Sequence, residues 1–537
     1  MPNLRWRWGL VFLCALYLLG ALPYLTNYPL IDWAQPMIAA PAAKLATQGV
    51  YGSDMFTGFY HAEERNYDHL PLYPLFVTLA FRLGGVGILQ ARLVSVGAGL
   101  MVLLATFALG RQLGGVRLGL LAAAFCLMRL ALPNYDEVER LGYQLTQTGI
   151  PLIDFARVIR FDVLVPAWGA LACLCFVEAV GRSARWGFIV AGGLIGCATL
   201  THIYGGFILP LLCAAYVWHV GRTAWRHPAL YLTLLGFGLT LLPYLIYVAL
   251  GWPDYAGQML RHETRFDLFN PDFYWHSLTT EPLRYLALFG GSFRQPILWP
   301  RVGLWVLVAG LPLASLWLWR ERLSLPHRLL FLSLPVLLAQ LALLINYKRY
   351  PYMSLLLPFI ALQIAYVAQQ LWEGSSGWKR LCLIGLGAAL LVESGYGLVD
   401  SWQMARATTP YAALTQSLRQ VIPPTARVLA SHITWFALSD YPHFRSLNLP
   451  FVLSDPQYQY VVTPSLPEVL HDLAPDYIVV EERLLKSYTH PERLPGAKEV
   501  NEWRILDEYT QQHCQLVERL DAPDYGFPLI YACQPSE

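Results

Sequence analysis

The sequence predicts a mainly α-helical, polytopic membrane protein: a bundle of about eleven transmembrane helices followed by a small exterior α/β C-terminal domain. Three observations predict it. Of 537 residues, 56% are hydrophobic and only 14% are charged, whereas soluble proteins carry about 25% charged residues. Apolar runs with at most one charge recur through the first 400 positions, each near the roughly 20 residues that a helix needs to cross a hydrocarbon core about 30 Å thick. After Asp400 the runs stop, and charged residues, Pro and short alternating segments replace them. This composition excludes a soluble enzyme. A net charge of +2 with no basic block excludes a nucleic-acid binder.

Each span is read from an apolar run whose backbone must satisfy its own hydrogen bonds in lipid. Nine runs each supply one span: Trp8–Leu25, Leu93–Gly110, Leu118–Pro133, Val163–Gly181, Pro228–Leu250, Val302–Trp319, Leu329–Ile345, Pro351–Trp372 and Leu381–Val399. Trp186–Val220 lacks Asp, Glu, Lys and Arg over 35 residues, too many for one crossing, and is split at Thr201-His202-Ile203-Tyr204-Gly205-Gly206. The first span is not a cleaved signal peptide: its apolar part is too long and no Ala-x-Ala site follows. Leu72–Leu89 is apolar but interrupted by Arg82, and is read as a helix lying at the outer surface.

Orientation follows from basic residues, which cytoplasmic loops retain. With the N-terminal Arg5 and Arg7 cytoplasmic, alternation puts Arg111/Arg117, Arg182/Arg185, Arg222/Arg226, Arg320/Arg322/Arg328 and Lys379/Arg380 on the same side. The location expected is therefore the inner (plasma) membrane of a cell, with the C-terminal part outside. Three exterior loops are long: 26–92, 134–162 and 251–301. Residues 1–400 form the membrane module and 401–537 the exterior domain, with strands at Arg427-Val428-Leu429-Ala430 and Tyr477-Ile478-Val479-Val480. Of nine Cys, seven lie in apolar runs and pack as small hydrophobes. Cys514 and Cys533 flank two β-like segments around Ala522-Pro523-Asp524-Tyr525-Gly526; a disulfide and two unrelated thiols are both consistent with that spacing.

On this topology several polar residues face one compartment. Asp32 follows span one and precedes the helical stretch Ala34–Thr47; Asp162 opens span four. Each carboxylate has a structural reading as a helix cap, and a functional one as part of a site. Lys348 and Arg349 run against the charge rule in a short exterior loop, so they either bind a phosphate or snorkel to lipid headgroups. Arg160, two residues before Asp162, is a salt-bridge partner or a phosphate ligand. Arg129 and Glu393 sit near the outer ends of apolar runs, where a charge can line a cavity at reduced cost. His61, His69 and His202 are exterior, without the spacing of a metal site. No nucleotide-binding loop is present, so an activated donor would have to come from the lipid.

These residues, in this order, resemble the C-type superfamily of glycosyltransferases (GT-C), and within it glycosyltransferase family 39, the protein O-mannosyltransferase and lipid A aminoarabinose transferase group. The resemblance rests on Asp32 after span one, Leu70-Pro71-Leu72-Tyr73-Pro74, Gln90-Ala91-Arg92-Leu93-Val94-Ser95, and Gly110-Arg111-Gln112-Leu113-Gly114-Gly115. It continues through Arg160-Phe161-Asp162, Thr201-His202-Ile203-Tyr204-Gly205 and Lys348-Arg349-Tyr350-Pro351-Tyr352, covering roughly residues 8 to 360. Two departures stand out. Many relatives have Asp-Glu where this chain has Asp32-Trp33, and the Asn134–Pro151 stretch, with Asp136, Glu137 and Glu139, is longer than usual.

The resemblance implies a GT-C bundle that transfers a sugar from a polyprenyl-phosphate donor to an acceptor hydroxyl on a protein, lipid or glycan. Asp32 would be the general base of an inverting displacement, with Asp162 positioning a substrate or joining Asp32 around a divalent cation, since relatives differ in metal use. Lys348, Arg349 and Arg160 would stabilise the departing phosphate, with Arg261 and Arg265 as further ligands; His69, Tyr73 and His202 would contact acceptor or sugar. A transporter or lipid-linked glycan flippase is the competing class. It commonly shows repeated halves, which are not evident here, and the large outer loops suit an enzyme that works at the surface.

Overall fold

The structure, a computed structural model, describes residues 5–130, 148–260, 262, 267–282, 323–346, 350–374, 377–459, 463–489 and 497–534. It opens with α1 (Arg5–Ala21), α2 (Ala34–Gln48) and α3 (Leu72–Gly84), then α4 (Ile88–Phe125). At 13 residues α3 is too short to span, and Gly85 ends it at φ +81°; it packs along α2 and α4. The second and third expected spans are the two arms of α4, which breaks at Gly114–Gly115. Gly115 has φ +82° there, a conformation that a side chain would strain.

The chain continues through α5 (Pro151–Ala156), α6 (Leu164–Arg182), α7 (Arg185–Thr201) and α8 (Ile208–Val220). The long apolar stretch is divided by the 3-10 turn Ile203–Phe207, overlapping the expected split. Next come α9 (Pro228–Leu250), α10 (Trp252–Met259), α11 (Pro271–Thr279), α12 (Leu325–Leu344), α13 (Leu357–Gly374) and α14 (Gly377–Ala407). The expected span Val302–Trp319 lies outside the described residues.

Close packing and surface polarity both mark a membrane protein. Where α7 crosses α9, a Cβ at Gly192 would fall 1.9 Å from the Thr233 carbonyl oxygen, and one at Gly236 would fall 2.0 Å from that of Ile189. Small residues let helices approach where no hydrophobic drive exists between them. The segment Pro351–Gly374, which contains α13, is 89% buried over its apolar window; that of α9 is 17% buried. Leu234, Leu235, Leu239, Leu242 and Ile246 of α9, and Leu381, Ile384, Leu391 and Val392 of α14, all face outward. A soluble monomer rarely exposes so continuous an apolar surface. Among the described residues seven helices are long and apolar enough to cross a membrane, and the chain is a multi-pass membrane protein.

Past α14, which carries through Asp400 to Ala407, α15 (Tyr411–Val421) leads into a five-stranded sheet. Its strands are β1 (Val428–Ala430), β2 (Phe444–Ser446), β3 (Tyr477–Glu481), β4 (Cys514–Arg519) and β5 (Pro528–Cys533), in the order β2-β1-β3-β5-β4. β1 runs parallel to β2 and β3, while β5 is antiparallel to β3 and β4. Helices α16 (Leu449–Ser454), α17 (Leu466–Leu473), α18 (Glu482–Thr489) and α19 (Ala497–His513) complete this part. Both expected strands are present as β1 and β3. Cys514 and Cys533 sit opposite one another on β4 and β5 and are joined as a disulfide.

Glu481 ends β3 inside this layer. The Ser431 hydroxyl donates to its Oε1 at 2.6 Å, while Oε2 is buried without a partner among the described residues, and burial raises the carboxyl above its ordinary value. A carboxyl raised above its unfolded value of about 4.3 binds its proton more tightly when folded. Its stabilisation is therefore complete below that value and is lost as pH rises through the raised one. Glu481→Gln is expected to remove this dependence and to raise the melting temperature at neutral pH, read from thermal unfolding of the purified protein between about pH 4 and pH 8.

Candidate functional site

The site begins with a loop held by buried charge. Residues 22–33 join α1 to α2 without regular structure across most of their length. The guanidinium of Arg92, fully buried in α4, donates to the carbonyls of Leu25 at 2.8 Å and Pro29 at 2.7 Å, and to Gln35 Oε1 at 3.1 Å. Arg157, also buried, donates to the carbonyls of Pro23 and Tyr28 and to Ser401 of α14, each at 3.0 Å. Burial lowers Arg157 to about 10 against the opposing field of Asp154, so it stays charged at neutral pH. Gln35 completes the clamp by accepting the Ile159 amide at 3.2 Å and donating to the Leu30 carbonyl at 3.2 Å.

Asp32 closes this loop. Its Oδ1 accepts the amides of Ala34 at 3.0 Å and Gln35 at 2.9 Å, capping α2 in the way that orphan amides at a helix start require. No described residue donates to Oδ2. The carboxylate is 4% exposed, and the next two residues, Trp33 and Ala34, form part of the wall of a cavity of about 460 Å³.

That cavity is lined by both polar and apolar groups, with the apolar ones predominating. Arg160, Asp68, His69, His202 and His262 contribute polar groups; Leu200, Leu241, Leu245, Met259 and Ile345 contribute aliphatic ones, with Tyr67, Tyr244, Tyr255, Tyr352 and Phe161 between. Phe161 stacks on His202 with centroids 4.8 Å apart. Arg160 donates from Nε to Asp162 Oδ2 at 2.7 Å, and the Tyr204 hydroxyl donates to Asp162 Oδ1 at 3.2 Å. Asp162 is fully buried behind Arg160 and is not on the cavity wall.

The structure thus brings Arg160, His69 and His202 to one cavity; Asp32 is not itself among the lining residues but directly precedes Trp33 and Ala34, which are. It does not bring Tyr73 there: that residue is fully buried, its hydroxyl 2.6 Å from Ser95 Oγ, where it ties α3 to α4. Lys348, Arg349, Arg261 and Arg265 lie outside the described residues. His61 pairs instead with Asp254 at 2.9 Å, joining the first and third long loops. Arg129 is buried with its guanidinium over Tyr396. The donor set does not fit a cation between Asp32 and Asp162. Both oxygens of Asp162 already accept hydrogen bonds, one from a guanidinium, and no group of three or more His, Cys, Asp or Glu converges among the described residues.

Two wall residues escaped the sequence reading. Asp68 faces His262 Nε2 at 2.9 Å and His69 Nδ1 at 3.1 Å. A carboxylate and an imidazole 194 positions apart carry no mutual sequence signal, and only the Asp68-His69 adjacency hinted at them.

No family model and no curated protein sequence matches the chain. Its structure is nevertheless similar to solved membrane proteins, and the fold expected from the resemblance, that of the C-type glycosyltransferase superfamily, is the fold of this chain. ArnT from Cupriavidus metallidurans bound to undecaprenyl phosphate aligns with TM-score 0.58 at 14% identity over 98% of this chain and 99% of its own. An Archaeoglobus fulgidus oligosaccharyltransferase tethered to an acceptor peptide containing the NVT sequon aligns with TM-score 0.56 at 12% identity, over 100% of this chain and 74% of its own. The oligosaccharyltransferase AglB from Archaeoglobus fulgidus, with an inhibitory peptide and a dolichol-phosphate, aligns with TM-score 0.54 at 12% identity.

Arg92→Leu would leave the Leu25 and Pro29 carbonyls and Gln35 Oε1 buried without their donor, at a cost of about 3 kcal/mol or more. Arg92→Lys is expected to recover little, because an ammonium cannot reproduce the planar fork that reaches all three acceptors. Thermal unfolding of the purified variants in detergent checks both.

Proposed function

We propose that this protein is an integral-membrane glycosyltransferase that moves a hexosyl or pentosyl group from a polyprenyl-phosphate donor to an acceptor hydroxyl at the exterior face. The observation that carries the reading is the half-engaged Asp32. One oxygen is anchored by two backbone amides and the other accepts from no described residue, in a side chain directly preceding Trp33 and Ala34 of the wall of an amphipathic cavity. A general base needs that combination: a fixed carboxylate with a lone pair available to a substrate proton.

The step is a single inverting displacement. As the acceptor oxygen forms its bond to the anomeric carbon, its proton passes to Asp32 Oδ2, and the bond from that carbon to the phosphate oxygen breaks. The polyprenyl phosphate leaves with the electron pair. Arg160 faces the cavity and would stabilise the departing charge, held in orientation by Asp162. Lys348 and Arg349, with Arg261 and Arg265, are the further cations proposed for that phosphate. The aliphatic part of the cavity suits an isoprenoid chain, and its aromatic residues suit a sugar face. Two proteins with this fold were captured with undecaprenyl phosphate and with dolichol-phosphate, ligands of the class proposed for this chain. His69 and His202 are the proposed sugar or acceptor contacts; the acceptor is a protein, lipid or glycan hydroxyl.

The proposed topology has the N-terminus cytoplasmic and the C-terminal sheet outside the inner (plasma) membrane, where an oxidising compartment would maintain the Cys514–Cys533 disulfide. A reporter active only in the exterior compartment, fused after Gln534, is expected to be active; cytoplasmic behaviour would reverse the orientation. For the chemistry, purified protein given radiolabelled polyprenyl-phosphate sugars is expected to turn over, and Asp32→Asn to lower kcat by about a hundredfold or more while still binding donor. An Asn variant as active as wild type removes Asp32 from the mechanism.

A further inference from the structure

One side chain of the C-terminal part reaches directly into the Asp32 loop. His432 opens the 3-10 turn His432–Ala437 that follows β1, and this turn packs on α2. The imidazole is 4% exposed, with Phe56 meeting it edge-on at 6.1 Å. Its Nδ1 lies 2.9 Å from the Trp33 carbonyl oxygen. A carbonyl only accepts, so Nδ1 carries the hydrogen. On the opposite side Nε2 meets the hydroxyl of Ser446 on β2, whose oxygen already accepts the Asn448 amide at 3.0 Å. The hydroxyl hydrogen is then available to Nε2, an arrangement compatible with an imidazole that donates from Nδ1.

The Trp33 carbonyl belongs to the same peptide unit as the Ala34 amide, and that amide donates to Asp32 Oδ1 at 3.0 Å. One rigid plane is therefore gripped at both ends: His432 holds its oxygen and the Asp32 carboxylate holds its N–H. Rotation of this plane would swing the amide away from Oδ1 and release the carboxylate. Hydrogen bonds arranged in series also polarise one another, so the Nδ1–H bond strengthens the amide as a donor to the carboxylate.

We infer that His432 is a positioning residue for Asp32, through which the C-terminal sheet sets the orientation of the base across the Trp33–Ala34 peptide. The inference rests on the reading of Asp32 as the base. It gives the C-terminal part a role in the chemical step beyond covering the site or holding the acceptor. His432 touches neither donor nor acceptor in this scheme, so its loss acts on the rate of the displacement and leaves donor affinity intact.

The test compares His432→Ala with His432→Asn in the full-length protein. The Asn side chain places an amide N–H near the position of Nδ1, so it keeps the bond to the Trp33 carbonyl and loses the one to Ser446. His432→Ala is expected to lower kcat by about tenfold or more, the scale on which small misplacements of reacting groups act, with KM for the lipid-linked donor changed less than about twofold. His432→Asn is expected to recover to within about threefold of wild type. Hydrogen exchange at the Ala34 and Gln35 amides, which needs no turnover, should accelerate in His432→Ala and stay near wild type in His432→Asn.

Wild-type kcat in His432→Ala, or unchanged exchange at Ala34 and Gln35, overturns the inference. Equal loss in both variants with equally lowered melting temperatures also overturns it, because His432 would then serve only the fold. If wild-type protein turns over no polyprenyl-phosphate sugar, the proposed function fails separately, and the exchange comparison decides the placement of the Asp32 peptide on its own.

Discussion

The constraint on which the rest depends is the burial of two guanidiniums, Arg92 and Arg157, under the loop that ends at Asp32. A connecting segment without regular structure has no ladder of its own, and ordering each residue costs about 1 to 2 kcal/mol. Here its carbonyls at Pro23, Leu25, Tyr28 and Pro29 are collected by side chains from other parts of the chain. Lysine could not do this: an ammonium is one compact charge, whereas a guanidinium directs five N–H groups in a plane. Burying two such charges is expensive unless hydrogen bonds and opposite charge offset it; of their nitrogens only Arg157 Nε is left without a partner among the described residues, and Asp32 and Asp154 supply nearby negative charge. The arrangement is therefore self-limiting. Loosening the loop would expose unsatisfied guanidiniums to an apolar interior, which fixes the loop and with it the carboxylate.

How much of this was legible in the sequence depended on whether the signal was local. The spans were, because apolar length is a local property: the Gly114–Gly115 break falls between the expected second and third spans and the turn at 203–207 overlaps the expected split, whereas the helix expected over Leu72–Leu89 ends at Gly84. Strands β1 and β3 were legible for the same reason, since each follows from a short pattern, whereas the Cys514–Cys533 spacing left a disulfide and two separate thiols equally open until β4 and β5 were seen to pair. Arg92 was visible only as part of a motif opening a helix. Nothing in its neighbourhood shows that its partners are backbone carbonyls more than sixty residues away. Tyr73 was misjudged in the same way, because a residue heading an amphipathic helix can face either a cavity or the next helix, and Ser95 decides that. His432 lies about four hundred positions from Trp33, and a side chain bonded to a main-chain oxygen depends on no particular residue at the far end.

The two carboxylates that look alike in sequence separate once their hydrogen bonds are compared. Asp162 has both oxygens engaged, one by a guanidinium and one by a phenol, deep behind the wall. Its negative charge serves to orient Arg160, and taking up a substrate proton would disrupt that ion pair. Asp32 uses a single oxygen to cap α2. Capping by backbone amides fixes orientation without consuming the second oxygen, so structural duty and chemical availability coexist in one side chain. The reading of Asp32 as a helix cap and the proposed reading of it as a base are therefore compatible in one arrangement.

That division of labour also accounts for the position of the sheet-bearing part against the membrane bundle. In the proposed mechanism, Asp32 must keep its orientation while substrates enter and leave the neighbouring cavity. At the start of α2 the orphan groups are the first amides, two of which are held by Asp32. His432 adds a contact to the Trp33 carbonyl from outside the bundle, and Ser446 meets the imidazole on its other side. The Asp32 loop is thus gripped from the helical bundle by Arg92 and Arg157 and from the sheet-bearing part by His432. An enzyme of this design would require the C-terminal sheet for catalysis even if no substrate atom ever touched it.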